Sequence, residues 1–446
     1  MVPTQKYDEV VLITSERNQN AMDILKVNTK TGKTIKLFTE IDEKWIDTDK
    51  NIIEFLEDNS FIWASERDGY RHLYWYNENG KLKKQITKGN WEVVEYYGFN
   101  PKTKEVFIQT TQNGSINKVI SKVNINTGKS LIISEKEGDN IANFSKNYRY
   151  FIETSSAVDK PYTYTLKDKD GILIKDLQNN KEQYKRLERD NFVAKEFFTI
   201  PNAVGDSMNA WIIKPKNFDK MKKYPVLMYQ YSGPGSQSVE NSWDNGNALW
   251  FNMLAQKGYL VVCVDGRGTG FRGAKYKKAT YKNLGKYEIE DQITAAKWLG
   301  NQPYVDANRI GIFGWSFGGY MTSLALTKGA DTFKLGIAVA PVTNWRYYDS
   351  IYTERFMGTP QENPSGYDDN SPTNFAHLLK GKLYIIHGTA DDNVHFQNAM
   401  EFSEALIQYK KQFDFMAYPD KNHGIYGGNT RQHLYELMTN YILKNL

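Results

Sequence analysis

One serine, one histidine and a pair of aspartates have the residue types and the chain order of an acyl-transfer site. Ser316 lies in the segment Gly-Trp-Ser-Phe-Gly (314–318), which fits the G-x-S-x-G pattern and follows the short apolar run 310–313. A strand that turns sharply into a helix at such a pentapeptide exposes the serine hydroxyl and points a helix N-terminus at the reacting oxygen. The sequence therefore predicts Ser316 as a nucleophile.

A serine nucleophile needs a base that takes its proton and a carboxylate that fixes the tautomer of that base. In α/β-hydrolases the acid and then the histidine follow the serine along the chain. Of the six histidines, His395, His423 and His433 lie after a suitable acid. His433 falls in a predicted helix and His395 is too close to the acid, so His423, in a polar loop, is the predicted base. The acid is Asp391 or Asp392, with Asp391 modestly favoured.

Two further groups of residues could stabilise and orient a substrate. The oxyanion of a tetrahedral intermediate needs preorganised donors. The backbone N–H of Phe317 supplies one, and the Tyr231 hydroxyl is a candidate for the other, with ordinary aromatic packing as the alternative. Trp345, Tyr348 and Tyr352 are spaced i, i+3 and i+7, which predicts one face of a helix. This stripe is either core or the wall of an aromatic pocket for a flat apolar residue such as proline.

The elements that must position these residues alternate between strands and helices from about residue 195 onward. This alternation predicts an α/β-hydrolase domain over residues 191–446 with a mainly parallel sheet. After a hairpin of 196–200 and 208–214, the predicted strands are 226–231, 260–264, 309–313, 335–340, 382–387 and 413–418. The predicted helices are 287–299, 319–327, 398–409 and 430–443.

Residues 1–190 contain four repeats of short β-runs joined by glycine turns. The turns end at Gly32, Gly80, Gly128 and Gly171, which are 48, 48 and 43 residues apart. A period of about 40–50 residues is typical of β-propeller blades, although two stacked β-sandwiches are an alternative. We expect a β-propeller fragment of about four blades, followed by a polar linker at 172–195. Because the chain starts almost directly on a strand, part of a larger propeller is favoured over a small complete ring.

Composition excludes several classes of function. The net charge of +5 over 446 residues is small and the lysines are scattered, so we expect no nucleic-acid partner. Cys263 is the only cysteine, which rules out a disulfide within the chain and indicates a buried structural thiol. No apolar run approaches the ~18 residues that span a membrane, and the N-terminus does not resemble a signal peptide. We also expect no metal ion.

One motif could suggest a cofactor. The segment Gly-Thr-Gly-Phe-Arg-Gly (268–273) fits G-x-G-x-x-G and follows a predicted strand, as a dinucleotide site requires. The residues that follow it make a poor apolar helix stripe, which disfavours nucleotide binding. We therefore expect no cofactor.

Four motifs give the hydrolase half a specific resemblance to a known family. They are Gly-Trp-Ser-Phe-Gly-Gly-Tyr (314–320), Asp-Gly-Arg-Gly-Thr-Gly (265–270), Tyr-Tyr-Asp-Ser-Ile-Tyr-Thr-Glu-Arg (347–355) and His-Gly-Thr-Ala-Asp-Asp-Asn-Val-His-Phe (387–396). Together they resemble the dipeptidyl peptidase IV family of the prolyl oligopeptidase clan of serine peptidases. Weaker similarity at 68–72 and 87–92 extends into the repeats.

The resemblance implies an exopeptidase that releases X-Pro or X-Ala dipeptides from free N-termini through an acyl-serine. It implies Asp391 rather than Asp392 as the acid, and it supports Ser316, His423 and Tyr231 in the roles given above. It further implies that Asn393 helps to hold the carbonyl group of the penultimate residue. The implied proline pocket is lined by Phe317, Val342, Trp345, Tyr348, Tyr352 and Val394. Members of the family tend to be extracytoplasmic homodimers.

The sequence departs from the family pattern in three places. Phe317 stands where the family usually has tyrosine, and Asn422 precedes the histidine where an acid is common. The family has an eight-bladed propeller, of which about half is visible, and nothing matches the paired glutamates that bind the substrate ammonium or the arginine beside them. We therefore expect a C-terminal fragment or truncated gene product with an intact triad and an incomplete exopeptidase site.

Three other interpretations remain open from the sequence. One is an acylaminoacyl peptidase or oligopeptidase of the same clan. Another is a propeller-based interaction protein whose hydrolase domain is vestigial, although the intact Ser316, Asp391 and His423 argue against it. The last is an esterase for small esters, which is disfavoured because a propeller usually restricts such a site to peptides.

Overall fold

The computed structural model describes residues 1–48, 52–243 and 246–446, and the chain divides into two compact units. The N-terminal unit contains Met1–Asp190 together with two short later segments, Glu240–Asp244 and Phe271–Lys277. The C-terminal unit contains Asn191–Val239, Asn245–Gly270 and Lys278–Leu446.

Four antiparallel sheets of four strands follow one another along the N-terminal unit. The first contains β1 (Val2–Pro3), β2 (Glu9–Ser15), β3 (Ala21–Asn28) and β4 (Thr34–Ile41). The second contains β5 (Ile53–Phe55), β6 (Phe61–Ser65), β7 (His72–Tyr76) and β8 (Leu82–Gln85). The third contains β9 (Val93–Asn100), β10 (Glu105–Thr110), β11 (Val119–Asn124) and β12 (Ser130–Ile132). The fourth contains β13 (Asp139–Phe144), β14 (Tyr150–Ala157), β15 (Lys160–Asp168) and β16 (Leu173–Gln178).

The four glycines that the sequence analysis singled out occupy equivalent positions in these sheets. Gly32, Gly80, Gly128 and Gly171 each lie in the turn between the third and the fourth strand of a sheet. Each has a positive φ, between 72° and 85°, which side chains other than glycine rarely adopt. The 40–50-residue period thus comes from one hairpin turn that recurs in every sheet.

Successive sheets pack on one another through opposite faces of their strands. Trp63 in β6 joins a core with Ile24 of the first sheet, whereas its neighbour Ile62 joins a core with Val106 of the third sheet. This alternation follows from the two-residue period of a strand. In the same way Phe107 in β10 faces the fourth sheet. Serial packing of four-stranded sheets is the arrangement found in β-propellers.

The predicted linker over 172–195 is wrong in its first half. Residues Leu173–Gln178 form β16, which pairs with β15 although all six side chains are exposed. An edge strand is held by backbone hydrogen bonds, so it can form without burying its side chains and without an alternating apolar pattern in the sequence. Helix α1 (Lys181–Arg189) follows and buries none of its residues.

The C-terminal unit is built on one mixed sheet of eight strands in the order β17-β18-β20-β19-β21-β22-β23-β24. These strands are β17 (Glu196–Pro201), β18 (Ser207–Ile213), β19 (Tyr224–Tyr229), β20 (Leu260–Asp265), β21 (Val305–Trp315), β22 (Leu335–Val339), β23 (Lys382–Gly388) and β24 (Asp414–Tyr418). The first two form an antiparallel hairpin and the other six run parallel to one another. All six single strands predicted for this half are therefore present, in a mainly parallel sheet.

Helices connect these strands. They are α2 (Ala248–Gln256), α3 (Ala274–Lys277, in the N-terminal unit), α4 (Lys286–Gly300), α5 (Phe317–Thr327), α6 (Ser350–Met357), α7 (Pro364–Asp368), α8 (Gln397–Gln408) and α9 (Thr430–Asn445). The four predicted helices correspond to α4, α5, α8 and α9. Short 3₁₀ turns occupy Lys278–Thr280, Trp345–Tyr347 and Pro372–Leu378.

The centre of the sheet positions the candidate nucleophile. Strand β21 lies between β19 and β22 and is followed directly by α5. The carboxyl ends of parallel strands meet at one edge of an open α/β sheet, where such folds bind their ligands. Ser316 follows β21 at this edge, and the loops after β19, β22, β23 and β24 begin at the same edge.

None of the helices within residues 1–48, 52–243 and 246–446 has the length and apolar character that a membrane-spanning segment needs. Nor do these residues bring together three or more histidine, cysteine, aspartate or glutamate side chains in a way that could hold a metal ion. Cys263 is buried in β20.

Candidate active site

Ser316 has a strained backbone at the junction of β21 and α5. Its φ is 60° and its ψ is −117°, a conformation that a residue with a side chain adopts only when its surroundings enforce it. The Ser316 N–H donates to the Val339 carbonyl at 2.9 Å, and the Ser316 carbonyl accepts from the Tyr320 N–H at 3.0 Å. Both backbone groups of the serine are thus fixed, one by the neighbouring strand and one by the first turn of the helix.

The glycines around Ser316 are explained by close approaches of the backbone. A Cβ atom on Gly314 would lie 2.3 Å from the Gly318 carbonyl oxygen, and one on Gly318 would lie 2.5 Å from the Gln230 carbonyl oxygen. A Cβ atom on Gly319 would lie 2.6 Å from the Val339 carbonyl oxygen. Because real side chains do not fit at such distances, the turn requires the small residues that the motif contains.

His423 and Asp391 form a hydrogen-bonded pair. The distance from His423 Nδ1 to Asp391 Oδ2 is 2.8 Å, and the other carboxylate oxygen accepts from the backbone N–H groups of Asn393 and Val394 at 3.0 and 2.9 Å. The Asp391 side chain is fully buried, whereas the His423 side chain is 25% exposed. Asp392 is exposed, so the structure places Asp391 rather than its neighbour against the histidine.

The environment of Asp391 keeps this carboxyl group ionised. Burial acts to raise the pKa of Asp391, but hydrogen bonds from His387, His423 and the Asn393 backbone outweigh it and leave the pKa below its ordinary value. An ionised Asp391 holds the proton of His423 on Nδ1 and leaves Nε2 as the basic atom. The pair can therefore act as a general base once Nε2 faces a hydroxyl group.

His387 is a functional candidate that the sequence analysis missed. It is fully buried in β23, with Nε2 2.8 Å from the Val394 carbonyl oxygen and 3.3 Å from Asp391 Oδ2. Chain order points only to histidines that follow a suitable acid, and His387 precedes Asp391. The available signal was position, since His387 lies four residues before Asp391 in the same motif.

Tyr231 follows β19 and lies next to Ser316. Burial raises the pKa of Tyr231, and a hydrogen bond with the Ser316 side chain offsets part of that rise. A phenol with a raised pKa stays protonated and can donate a hydrogen bond at neutral pH. Phe317, whose ring lies 6.1 Å from that of Tyr231, is the first residue of α5, so its backbone N–H has no acceptor within the helix. Two donors thus flank Ser316.

The predicted single helix through Trp345, Tyr348 and Tyr352 is wrong. Trp345 belongs to a 3₁₀ turn, Tyr348 is extended, and α6 begins two residues later. The break is caused by Asp349, whose side chain accepts from the Tyr352 N–H at 2.8 Å and so caps a new helix.

The aromatic rings nevertheless meet. The ring of Trp345 lies 5.5 Å from that of Phe317, 5.7 Å from that of Tyr348 and 6.0 Å from that of Tyr352. The Tyr348 hydroxyl donates to Asn393 Oδ1 at 2.9 Å, which joins this cluster to the loop of Asp391. Burial raises the pKa of Tyr348 to about 12, so this donor stays protonated. Val342 and Val394, also assigned to the pocket, are both buried.

The glycine-rich segment 265–270 braces the turn that follows Tyr231. The Gly235 N–H donates to the Gly268 carbonyl at 2.8 Å, and the Gly270 N–H donates to the Ser236 carbonyl at 2.8 Å. A Cβ atom on Gly270 would lie 2.6 Å from the Gly235 carbonyl oxygen. Close contact between two loops therefore explains why residue 270 is a glycine.

Comparisons with known proteins cover both units. The family model described as prolyl oligopeptidase family matches residues 247–446, and the one described as dipeptidyl peptidase IV (DPP IV) N-terminal region matches residues 3–162. "Probable dipeptidyl-aminopeptidase B" of Arthroderma benhamiae is 37% identical over 422 residues, which is 90% of this chain and 46% of that protein. "Prolyl endopeptidase FAP" of Bos taurus is 37% identical over 398 residues, which is 85% of this chain and 50% of that protein.

Among solved structures, dipeptidyl peptidase 4 of Porphyromonas gingivalis superposes with a TM-score of 0.96 at 43% identity. The superposition covers 99% of this chain and 63% of that one. The chain thus spans about half the length of the curated relatives it matches.

Proposed function

Because the chain belongs to the prolyl oligopeptidase family, we propose that it is a serine exopeptidase that releases X-Pro or X-Ala dipeptides from peptides with a free N-terminus. The observation that carries the proposal is the combination of a buried, ionised Asp391 bonded to His423 with a serine, Ser316, held in a strained strand-to-helix turn. This arrangement suits acyl transfer, since each member has a defined role in moving one proton.

The proposed reaction has two halves that use the same residues. Ser316 Oγ attacks the carbonyl carbon after the proline or alanine, and His423 Nε2 takes the hydroxyl proton. The oxyanion accepts hydrogen bonds from the Tyr231 hydroxyl and the Phe317 N–H. His423 then gives its proton to the leaving amine, and an acyl-serine remains. A water molecule, deprotonated by His423, attacks the ester and releases the dipeptide, and the proton returns to Ser316.

We assign the proline pocket to the aromatic cluster. The rings of Phe317, Trp345 and Tyr352 would contact the flat apolar ring of proline, and alanine would fill the same space less completely. The side walls would be Tyr348, Val342 and Val394. Asn393 would hold the carbonyl group of the penultimate residue. The bond from the Tyr348 hydroxyl to Asn393 Oδ1 supports this role, because it engages the amide oxygen and leaves the N–H₂ group as the donor.

For the N-terminal unit we propose that the four sheets are four blades of a propeller. The serial packing of the sheets and the match to the dipeptidyl peptidase IV N-terminal region support this proposal. The sequence given contains no counterpart of the paired glutamates that the resemblance implies for the substrate ammonium. The reactivity of the Ser316 hydroxyl and the specificity for dipeptide substrates must therefore be measured in separate assays.

The assembly and location are proposed from the resemblance alone. We propose a homodimer and an extracytoplasmic full-length protein. Size-exclusion chromatography with light scattering would test the first, and a mass near that of one 51.5 kDa chain would contradict it.

The decisive experiment compares the chain with its Ser316→Ala variant. We expect the chain to release p-nitroaniline from Gly-Pro-p-nitroanilide and to be labelled at Ser316 by a fluorophosphonate, and we expect the variant to do neither. Labelling without dipeptide release would indicate a competent triad with incomplete recognition of the substrate amine. A well-folded chain that is not labelled would contradict the proposal and would favour a non-catalytic interaction protein.

A second candidate function is cleavage by an endopeptidase or acylaminoacyl peptidase of the same family. The relative named prolyl endopeptidase FAP favours it. Faster hydrolysis of N-acylated Gly-Pro substrates than of free Gly-Pro substrates would support this second function over the first.

A further inference from the structure

The loop that carries His423 has an irregular backbone. It connects β24 to α9, and Asp420, Ile425, Gly427 and Gly428 have positive φ values of 54°, 46°, 106° and 53°. Such a loop lacks the regular hydrogen bonding of a helix or sheet and depends on contacts from outside to keep one shape. Catalysis requires one shape, because the imidazole must stay within hydrogen-bond reach of the nucleophile.

Trp315 supplies such a contact. It is the last residue of β21, directly before Ser316, and its indole Nε1–H donates to the His423 carbonyl oxygen at 3.0 Å. The guanidinium group of Arg431, at the start of α9, lies over the Trp315 ring at 4.9 Å. One side chain therefore contacts the His423 loop both at the catalytic residue and just after the loop ends.

The two known contacts of His423 hold different parts of the residue. Asp391 binds the imidazole and fixes its rotation, whereas Trp315 binds the carbonyl oxygen and fixes the position of the main chain. Since Trp315 is covalently joined to Ser316, the main-chain contact links the base to the nucleophile through a single peptide bond and one rigid indole.

On the premise of the proposed function, we propose that Trp315 is a positioning residue that sets the distance between the general base His423 and the nucleophile Ser316. A displacement of the base by about 1 Å can cost roughly 10²-fold in rate. Trp315 itself touches neither the substrate nor the transferred proton in this proposal. Its role is separate from substrate binding, because the proposed pocket and oxyanion donors do not include it.

The test replaces Trp315 by phenylalanine, which keeps a ring at this position and removes the N–H donor. The rate of fluorophosphonate labelling, measured over a range of probe concentrations, gives a maximal rate and a concentration for half-saturation. We expect Trp315→Phe to lower the maximal rate about 10-fold and to leave the half-saturation concentration within about 2-fold. All rates are referred to the number of sites labelled at completion, so that unfolded molecules do not contribute.

A matched control removes the same kind of bond elsewhere in the C-terminal unit. The indole Nε1–H of Trp250 donates to Thr439 Oγ1 at 2.9 Å, and neither residue belongs to the site. We expect Trp250→Phe to label within about 2-fold of the wild-type rate. An equal fall in both variants would show a general loss of packing and would overturn the proposal.

A second variant keeps the test decisive if Trp315→Phe folds poorly. Replacement of Trp315 by benzothienylalanine exchanges only the N–H group for sulfur and preserves the size of the ring system. We expect the same fall of about 10-fold in the maximal labelling rate. Wild-type labelling rates in this variant would overturn the proposal, whereas a wild-type chain that is not labelled at all would instead contradict the proposed function.

Discussion

The candidate active site has two sides that are held together by different forces. On the acid–base side, consisting of His387, Asp391 and His423, the carboxylate is fixed by short directional hydrogen bonds. On the aromatic side, consisting of Phe317, Trp345, Tyr348 and Tyr352, ring centroids lie 5.2–6.0 Å apart and contact one another mainly through their faces and edges.

The two sides of the site should differ in how well they tolerate substitution of a single residue. A hydrogen bond weakens steeply with distance and angle, so the loss of one donor or acceptor disturbs the acid–base side at once. Packing between rings is the sum of many weak contacts, so a small change in one ring is spread over the cluster. We therefore expect single-atom changes to have large effects on the acid–base side and small effects on the aromatic side.

The largest effect should come from the carboxylate itself. Asp391→Asn removes the charge that holds the His423 tautomer, and we expect kcat to fall about 10⁴-fold. Asp392→Asn is the matched control, because Asp392 is the adjacent, exposed residue, and we expect a change within about 2-fold. Comparable losses in both variants, measured as the rate of p-nitroaniline release or of fluorophosphonate labelling, would contradict the assignment of the acid.

The Asp391 carboxylate should also make the free energy of unfolding depend on pH. Because the pKa of Asp391 in the folded chain lies below its ordinary value of 3.8, the stability it contributes is present above that value and is lost as the pH falls through the folded-state pKa. The difference in unfolding free energy between the wild type and Asp391→Asn should therefore narrow below about pH 4. Urea unfolding at a series of pH values measures it, and a gap that widens on acidification would contradict the sign of the shift.

The Tyr231 hydroxyl provides the next largest effect, at the border between the two sides. Removal of one oxyanion donor costs about 10²–10³-fold in kcat, so we expect Tyr231→Phe to lose that much with little change in KM. Its ring, which packs near Phe317, is retained in the variant. A rise in KM with an unchanged kcat would show that Tyr231 only lines the pocket.

The sequence was informative where one residue type had to do a defined task. The candidate serine and histidine follow from chemistry and chain order, which left the acid open between Asp391 and Asp392, and Gly314 and Gly318 follow from the sharp turn. The helix expected through Trp345 and Tyr352 failed because the capping side chain of Asp349 restarts the helix, and spacing alone does not reveal a cap. The role of His387 depends on the contact between its side chain, near the end of β23, and Asp391 in the following loop. A local sequence pattern does not reveal this contact.

His387 should show an intermediate effect. A glutamine can place its amide N–H₂ close to the position of Nε2 and keep a donor toward the Val394 carbonyl, whereas leucine cannot. We expect kcat to fall about 10-fold in His387→Leu and about 2-fold in His387→Gln, with KM unchanged in both. If both variants lose the same activity per labelled site, the buried shape of His387 matters rather than its hydrogen bond.

The smallest effect should come from the aromatic side. Phe317→Tyr adds one hydroxyl group to a ring that packs against Trp345 and Tyr320, and it restores the residue that the family usually has at this position. The proposed oxyanion donor at residue 317 is a backbone N–H, which the substitution leaves in place, so we expect kcat and KM to stay within about 2–3-fold of the wild type. A fall as large as that of Tyr231→Phe would mean that the aromatic side is as intolerant as the acid–base side. In that case its rings would be fixed by a polar contact rather than by packing, and the contrast between the two sides would be lost.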